Sequence, residues 1–118
     1  MSQRKRGVRA MLVSPEAVQL RGRGQVGLNL AGWDRFSVWG WDGREGELFA
    51  QLYRNTDDPR DQPTVWISAA AGWPRSTAAP EVLADWIAAA TGADRRAVLL
   101  ALAESVPHGE RLRALAAA

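Results

Sequence analysis

The stretch from residue 36 to residue 54 constrains the fold more than any other part of the sequence. Both halves are rich in aromatic and aliphatic residues that favour strands, and a glycine-bearing stretch separates them. If Arg44, Glu45 and Gly46 form a three-residue loop, Gly46 occupies the position that requires a left-handed backbone. The sequence therefore predicts an antiparallel hairpin in one particular register.

In this register the hairpin has an aliphatic face and an aromatic face, because directly opposed residues point to the same side of a sheet. On the aliphatic face Phe36 opposes Arg54, Val38 opposes Leu52, Gly40 opposes Ala50 and Asp42 opposes Leu48. On the aromatic face Ser37 opposes Tyr53, Trp39 opposes Gln51 and Trp41 opposes Phe49. A slip of one residue would mix the two sets, so the pattern favours this register.

Further strands are predicted on both sides of the hairpin. Residues 64–69 alternate in the same way, with Val65 and Ile67 on one side and Trp66 and Ser68 on the other. Residues 8–13 and 25–30 have weak strand character, and residues 14–16 are typical of a turn or of the start of a short helix. The hairpin is thus expected to belong to a larger meander.

The hydrophobic period changes from two to about 3.6 residues in the last third of the chain. One helix is predicted from Pro80 to a stop at Gly92, a second from a capping Asp94 to a stop at Pro107, and a third over residues 110–117. We therefore predict an α+β fold, in which an antiparallel meander of three to five strands is packed on one face by two or three C-terminal helices.

We expect residues 1–118 to form one small domain. Within it, residues 1–9 are expected to be a basic, flexible arm, residues 10–70 mainly β, and residues 76–118 helical.

Composition argues against several classes of function. The chain has no cysteine and a single histidine, His108, which excludes disulfides, iron–sulfur clusters and the usual zinc sites. It contains no glycine-rich nucleotide fingerprint, nucleophile elbow or calcium loop, so we expect neither an enzyme nor a bound metal or cofactor. No stretch approaches the roughly 20 apolar residues of a membrane span, and no signal peptide follows Met1. We therefore expect a cytoplasmic protein without a membrane partner.

Basic residues are concentrated in the N-terminal third. Residues 1–35 contain seven basic and two acidic residues, a net charge of +5, whereas residues 36–118 contain eight arginines and eleven acidic residues, a net charge of −3. A basic arm on a mildly acidic body is typical of electrostatic binding to nucleic acid. The residues expected to contact phosphate are Arg4, Lys5, Arg6, Arg9, Arg21 and Arg23.

Two alternatives to nucleic-acid binding remain open as the origin of this charge. The first is a solvated N-terminus that has no partner. The second is codon usage, because an excess of arginine over lysine together with frequent alanine is typical of a GC-rich bacterial genome.

The aromatic face predicts a platform on which unstacked bases can lie, formed by Trp39, Trp41, Phe49, Tyr53 and Trp66. One alternative is that the N-terminal segment covers this face and packs Leu28, Leu30 and Trp33 against it, since large exposed aromatic patches are uncommon. Another alternative is that the face is the interface of a homodimer or of a partner protein.

Residues 87–98 resemble the helix-turn-helix motif of bacterial DNA-binding proteins. Ala88, Gly92 and Val98 match its small residue, its turn glycine and its buried aliphatic residue. The resemblance implies that Arg95 and Arg96 begin a helix that lies in the major groove. Mainly apolar residues follow Arg96, so the alternative is a simple packed pair of helices.

Taken together, these patterns predict a small, non-enzymatic nucleic-acid-binding or regulatory accessory protein that contacts phosphate through its basic N-terminal arm. The alternative is a protein-interaction module, such as an inhibitor, adaptor or assembly factor, that uses the Trp-rich face of the sheet.

Overall fold

Four strands and four helices make up the described part of the chain, which the computed structural model covers over residues 14–54, 62–68, 71–73 and 77–118. Their order is α1 (Pro15–Arg21), β1 (Gln25–Gly27), β2 (Val38–Asp42), β3 (Glu47–Leu52), β4 (Val65–Ile67), α2 (Pro80–Thr91), α3 (Arg95–Glu104) and α4 (Glu110–Ala117). The strands form one antiparallel meander in the order β1-β2-β3-β4. The predicted α+β fold, with three helices after the meander, is confirmed.

A short helix, α1, precedes the sheet at the position where the sequence indicated a turn or a helix start. Ser14 caps this helix, because its hydroxyl accepts a hydrogen bond from the Ala17 N–H at 3.1 Å. The same hydroxyl donates to the Ala78 carbonyl at 2.9 Å, so the start of α1 is held next to the segment that leads into α2. The arm predicted over residues 1–9 and the strand predicted over residues 8–13 lie outside the described residues.

The hairpin formed by β2 and β3 has a register that differs by one residue from the predicted register. Asp42 pairs with Glu47, so the connection contains four residues rather than three. Gly46 has the expected left-handed backbone, with φ of 63°. The Asp42 carboxylate accepts hydrogen bonds from the N–H groups of Arg44 at 2.9 Å and Glu45 at 3.4 Å, and these bonds stabilise the longer turn.

The register shift changes the partners of both tryptophans in β2. Trp39 pairs with Ala50 and Trp41 pairs with Leu48, so both indoles lie on the same face as aliphatic residues of β3. The predicted aromatic face is therefore wrong for these two residues, because a one-residue slip exchanges the faces of one strand relative to its neighbour. Trp39 is fully buried.

Strand β4 divides between the two faces as predicted. Ile67 pairs with Ala50 and is fully buried, whereas Trp66 pairs with Gln51 and is 39 % exposed. We call the face that carries Trp39, Ala50 and Ile67 the inner face, and the face that carries Gln51 and Trp66 the outer face.

The inner face and the helices enclose one hydrophobic core. Its large buried side chains are Leu20, Leu28, Trp39, Leu52, Ile67, Leu83, Ile87, Leu99, Leu102 and Leu112. Burial of each leucine contributes about 1.5–3 kcal/mol to folding. Leu28 and Leu30 are buried in the same core as Trp39, so the segment after β1 contributes to this core. Trp33 is only partly buried at the margin of this core.

Gly40 permits a close approach between β2 and the chain that enters β1. A Cβ atom at this position would overlap the carbonyl oxygen of Gly24 and the Cα of Gln25. Gln25 pairs directly with Gly40, and the Trp41 N–H donates to the Gly24 carbonyl at 2.9 Å. A larger residue at position 40 would therefore push β1 away from β2.

The ends of the C-terminal helices largely follow the sequence signals. Pro80 is the first residue of α2, and Gly92 ends that helix with φ of 76°, a left-handed conformation that glycine adopts without strain. Helix α3 begins after Asp94, although the Asp94 side chain makes no capping hydrogen bond. None of the helices in the described part of the chain has the length and apolar character needed to cross a membrane.

Arg111 joins α4 to two other helices through charged hydrogen bonds. Its guanidinium donates to Glu16 in α1 at 2.6 Å and to Glu81 in α2 at 2.7 Å. Glu16 is only 1 % exposed, so Arg111 compensates a buried negative charge. The hydrogen bond from Arg111 lowers the pKa of Glu81, and the bonds to Glu81 and Glu16 raise the pKa of Arg111. This cluster holds the three helices in one arrangement.

Candidate functional site

Two of the six basic residues predicted to contact phosphate lie in the described part of the chain. Arg21 is the last residue of α1, and Arg23 lies in the turn that leads into β1; both are exposed. Hydrogen bonds from the N–H groups of Arg23 and Gly24 to the Leu20 carbonyl, at 3.0 and 2.8 Å, fix this turn. The other four residues, Arg4, Lys5, Arg6 and Arg9, lie outside the described residues.

The Arg21 side chain lies over an aromatic ring. Its guanidinium carbon is 4.8 Å from the centroid of the Trp41 ring, which is a favourable distance for a cation–π contact. Trp41 is half-buried and packs against the core. A tryptophan that was predicted to stack on bases therefore supports an arginine instead.

The arginines of the described segments differ in whether a carboxylate neutralises them. Arg111 is paired with two glutamates, and Arg95 is paired with Asp85 through its Nε at 2.5 Å. Within those segments, neither Arg21 nor Arg23 forms an ion pair. No carboxylate of the described residues neutralises these two arginines, which suits them to an anionic ligand.

A second group of arginine and aromatic side chains lies where β2 begins and β3 ends. Arg35 lies over Phe36 and Arg54 lies over Trp33, each with the guanidinium carbon 5.4 Å from the ring centroid. Phe36 is 47 % exposed. The sequence patterns did not predict this group as a site. The adjacency of Arg35 and Phe36 was a visible signal, whereas the pairing of Trp33 with Arg54 depends on the meander.

The five aromatic residues of the predicted platform are not together on one face. Trp39 is buried in the core, and Trp41 lies beneath Arg21 on the inner side. Phe49 and Trp66 lie on the outer face, and Tyr53 continues the same alternation just after β3. The platform is thereby reduced to three residues.

The outer face contains a groove of about 140 Å³. Its lining combines two aromatic residues with three polar ones: Asp42, Phe49, Gln51, Trp66 and Ser68. Such a mixture of ring planes and hydrogen-bonding groups is typical of sites that bind a planar polar ligand.

A larger groove of about 460 Å³ lies between residues 29–31 and α3. Leu30, Ala97 and Leu100 contribute apolar surface to it, and Asp94 and Glu104 contribute negative charge. This surface of α3 is apolar and acidic, which is unfavourable for contact with phosphates.

The helix pair that resembles a helix-turn-helix motif consists of α2, the turn at Gly92 and α3. Arg95, which the resemblance placed at the DNA-reading helix, is directed back to Asp85 on α2. Arg96 is exposed at the start of α3. Val98, Leu99 and the residues one turn later are buried, as expected for a packed helix.

Potential metal ligands are dispersed in the segments that the structure describes. There, no three histidine, aspartate or glutamate side chains lie close enough together to hold a metal ion. His108 is exposed, with its Nδ1 3.9 Å from the Glu110 carboxylate.

Comparisons of this chain with protein-family models, with curated proteins and with solved structures find no match. Its function therefore has to be inferred from its own residues.

Proposed function

We propose that this chain is a small, non-enzymatic nucleic-acid-binding or regulatory accessory protein that contacts phosphates through Arg21 and Arg23. The observation that carries the proposal is that Arg21 lies over the Trp41 ring at one edge of the sheet, and that neither Arg21 nor Arg23 forms an ion pair with a described residue. The N-terminal basic residues Arg4, Lys5, Arg6 and Arg9 precede α1 and add to the same positive charge.

The contact between Arg21 and Trp41 favours phosphate binding for an energetic reason. A guanidinium presents several N–H donors in a planar arrangement that matches phosphate oxygens. Because the Trp41 ring already holds the Arg21 side chain, less conformational freedom is lost when a ligand binds. Arg23 follows two residues later and supplies a second positive charge on the same turn.

The test is a titration of the full chain with a labelled single strand of about 12 nucleotides and with the corresponding duplex. Fluorescence anisotropy is measured between about 50 and 200 mM salt, where each phosphate contact adds roughly 0.7 to 0.9 to the slope of log K against log salt. The double variant R21A/R23A is expected to flatten this slope by roughly 1 to 2. The matched control is Arg96→Ala, which removes another exposed arginine and is expected to leave the slope unchanged.

Two outcomes contradict the proposal. Salt-independent binding shows that the arginines do not bind the ligand through its phosphates, and no binding of either ligand shows that the chain does not act on nucleic acid. A loss of slope in Arg96→Ala but not in R21A/R23A places the contact on α3, as the helix-turn-helix resemblance implied.

The contribution of the arm is tested separately in the full chain. Glutamine at the positions of Arg4, Lys5, Arg6 and Arg9 removes four charges without shortening the protein. If all four residues contact phosphates of a single strand, the slope decreases by roughly 3. An unchanged slope shows that the arm is not part of the contact.

The groove beside α3 favours a second candidate function, a protein-interaction module. Its apolar lining at Leu30 and Leu100 is accompanied by the acidic residues Asp94 and Glu104. This combination suits an apolar peptide segment that carries basic residues. For this alternative function, the proposed docking surface is therefore α3 and no longer the Trp-rich face of the sheet.

A fluorescent peptide with the sequence of residues 1–13 is a suitable probe for this second function, because it combines apolar residues with four basic ones. Leu100→Lys is expected to abolish binding of the peptide to the full chain. Val82→Lys adds the same charge at an exposed position of α2 and serves as the control. Equal binding by the two variants excludes the groove as the docking site.

A further inference from the structure

We infer that the groove on the outer face binds one unstacked base, so that the preferred ligand is single-stranded nucleic acid. This inference rests on the proposed function and identifies its substrate class. The groove is lined by Asp42, Phe49, Gln51, Trp66 and Ser68 and has a volume of about 140 Å³. That is the volume of roughly five water molecules, which suits a single planar group rather than a longer segment.

Two rings provide the apolar walls of the groove. Trp66 is the more accessible of them, with 39 % of its surface exposed, and Phe49 is half-buried on the neighbouring strand. A base that lies against an aromatic ring gains about 1–3 kcal/mol, independently of its identity. The faces of bases in a duplex are already stacked on their neighbours, so only an unpaired base can enter.

The polar residues of the groove have hydrogen-bonding capacity that the described residues do not use. The Gln51 side chain has no hydrogen-bond partner among them, and Asp42 uses only Oδ1, which accepts from the Arg44 and Glu45 N–H groups. Ser68 accepts a hydrogen bond from the Ala71 N–H at 3.2 Å, and its own O–H donates to none of the residues that the structure describes. The groove thus offers a carboxylate, an amide and a hydroxyl to the edge of a base.

The backbone of Trp66 is held in place from the helical side. The Trp73 indole N–H donates to the Trp66 carbonyl at 3.0 Å. Trp73 in turn stacks on Trp86 of α2, with ring centroids 5.3 Å apart. Strand β4 is therefore fixed to a helix, and the cost of ordering the stacking residue on binding is reduced.

Asp42 gives the groove a preference among bases. A carboxylate accepts hydrogen bonds, so it favours the amino groups of cytosine, adenine and guanine. Thymine presents its single ring N–H between two carbonyl oxygens. The negative carboxylate repels these oxygens, so thymine is disfavoured. The negative charge of Asp42 also directs the phosphates away from the groove, towards the arginines at the edges of the sheet.

The experiment compares four ligands with the unmodified full chain: a dC strand, a dT strand, an abasic strand of the same length and a duplex. The dC strand is expected to bind about 5- to 150-fold more tightly than the abasic strand, as the stacking of one base requires. The dT strand is expected to lie between them. Equal affinities for the dC and abasic strands overturn the inference, although phosphate binding and its salt slope persist.

Variants of two aromatic residues show which ring stacks on the base. Trp66→Ala is expected to lower the affinity for the dC strand by the same factor and to leave the abasic strand and the duplex unchanged. Trp66→Phe keeps an aromatic face, so it retains most of the affinity but loses the indole fluorescence that a stacked base quenches. The control is Phe36→Ala, which removes an exposed ring outside the groove. If Phe36→Ala lowers the affinity for the dC strand and Trp66→Ala does not, the base stacks at the other end of the sheet and the inference is overturned.

Asp42→Asn tests the base preference. Asparagine keeps the Oδ1 acceptor that caps the turn and replaces the second oxygen with an N–H donor. The ratio of dC to dT affinity is expected to fall below that of the unmodified chain. An unchanged ratio shows that Asp42 does not read the base. If the unmodified chain binds none of the four ligands, this inference and the proposed function both fail.

Discussion

Trp39 donates its indole N–H to the hydroxyl of Ser105 at 2.7 Å, and this bond joins the inner face of the sheet to the end of α3. The Ser105 hydroxyl in turn donates a hydrogen bond to the Leu102 carbonyl at 2.6 Å. Both polar atoms are thereby satisfied, which allows Trp39 to be fully buried. The tryptophan that the sequence placed on a binding face is thus a structural residue.

The first prediction concerns this hydrogen bond. Trp39→Ala is expected to lower the free energy of unfolding by about 3–5 kcal/mol, since it leaves a large cavity. Ser105→Ala is expected to cost about 1–3 kcal/mol, because the indole N–H loses its partner. Urea unfolding at neutral pH measures both changes, and Trp66→Ala on the outer face is the control with a smaller loss. Equal losses for the two tryptophan variants would contradict the burial of Trp39.

The second prediction concerns the edge between β1 and β2. Gly40→Ala places a methyl group against the Gly24 carbonyl and is expected to destabilise the protein by about 1–3 kcal/mol. Gly27→Ala, in the same pair of strands, has open space around the new atom and is expected to be neutral or slightly stabilising. Thermal unfolding followed by circular dichroism distinguishes them. A similar melting temperature for both variants would show that β1 does not approach Gly40 closely.

The third prediction concerns the buried charge of Glu16. Arg111→Met removes the cation that neutralises it and is expected to lower the free energy of unfolding by about 3 kcal/mol. Asp85→Ala breaks an exposed pair with Arg95 and is expected to change it by less than about 1 kcal/mol. Denaturant titrations of the two variants provide the comparison. If Asp85→Ala lowered the free energy of unfolding as much as Arg111→Met does, the prediction would be contradicted.

The fourth prediction is a dependence of stability on acid. The hydrogen bond from Arg111 lowers the pKa of Glu81 in the folded protein below its ordinary value of 4.5. The stability that Glu81 contributes is therefore present above pH 4.5 and is lost as the pH falls through the lowered pKa. Glu81→Gln lacks this group, so the difference in unfolding free energy between the unmodified chain and the variant is expected to shrink below pH 4.5. A difference that stays constant from pH 7 to pH 3 would show that Glu81 is not coupled to folding.

The fold class could be predicted from the sequence because the patterns that indicate it are local. The alternation in residues 64–69 placed Ile67 inside and Trp66 outside, and the structure agrees. Pro80 and Gly92 marked the ends of α2 for steric reasons that operate within a few residues. The change of hydrophobic period along the chain was sufficient to predict helices after a meander.

The register of the hairpin could not be predicted from the sequence in the same way. Three-residue and four-residue turns fit the same glycine, and the choice depends on hydrogen bonds from the Arg44 and Glu45 N–H groups to the Asp42 carboxylate. This small local difference decides which side chains are buried along the whole strand. It moved Trp39 into the core and left Trp66 and Phe49 on the outer face.

By itself, the sequence determined the α+β class, the position of β4 and its two faces, the ends of α2 and the asymmetry of charge, because each depends on neighbours in the chain or on composition. Only the tertiary structure decided which arginines are neutralised and which aromatic rings are accessible. Arg111 meets Glu16 across 95 residues, and Arg21 meets Trp41 only when α1 folds back on the sheet. Such contacts depend on how the elements pack in three dimensions, and no local pattern in the sequence specifies them.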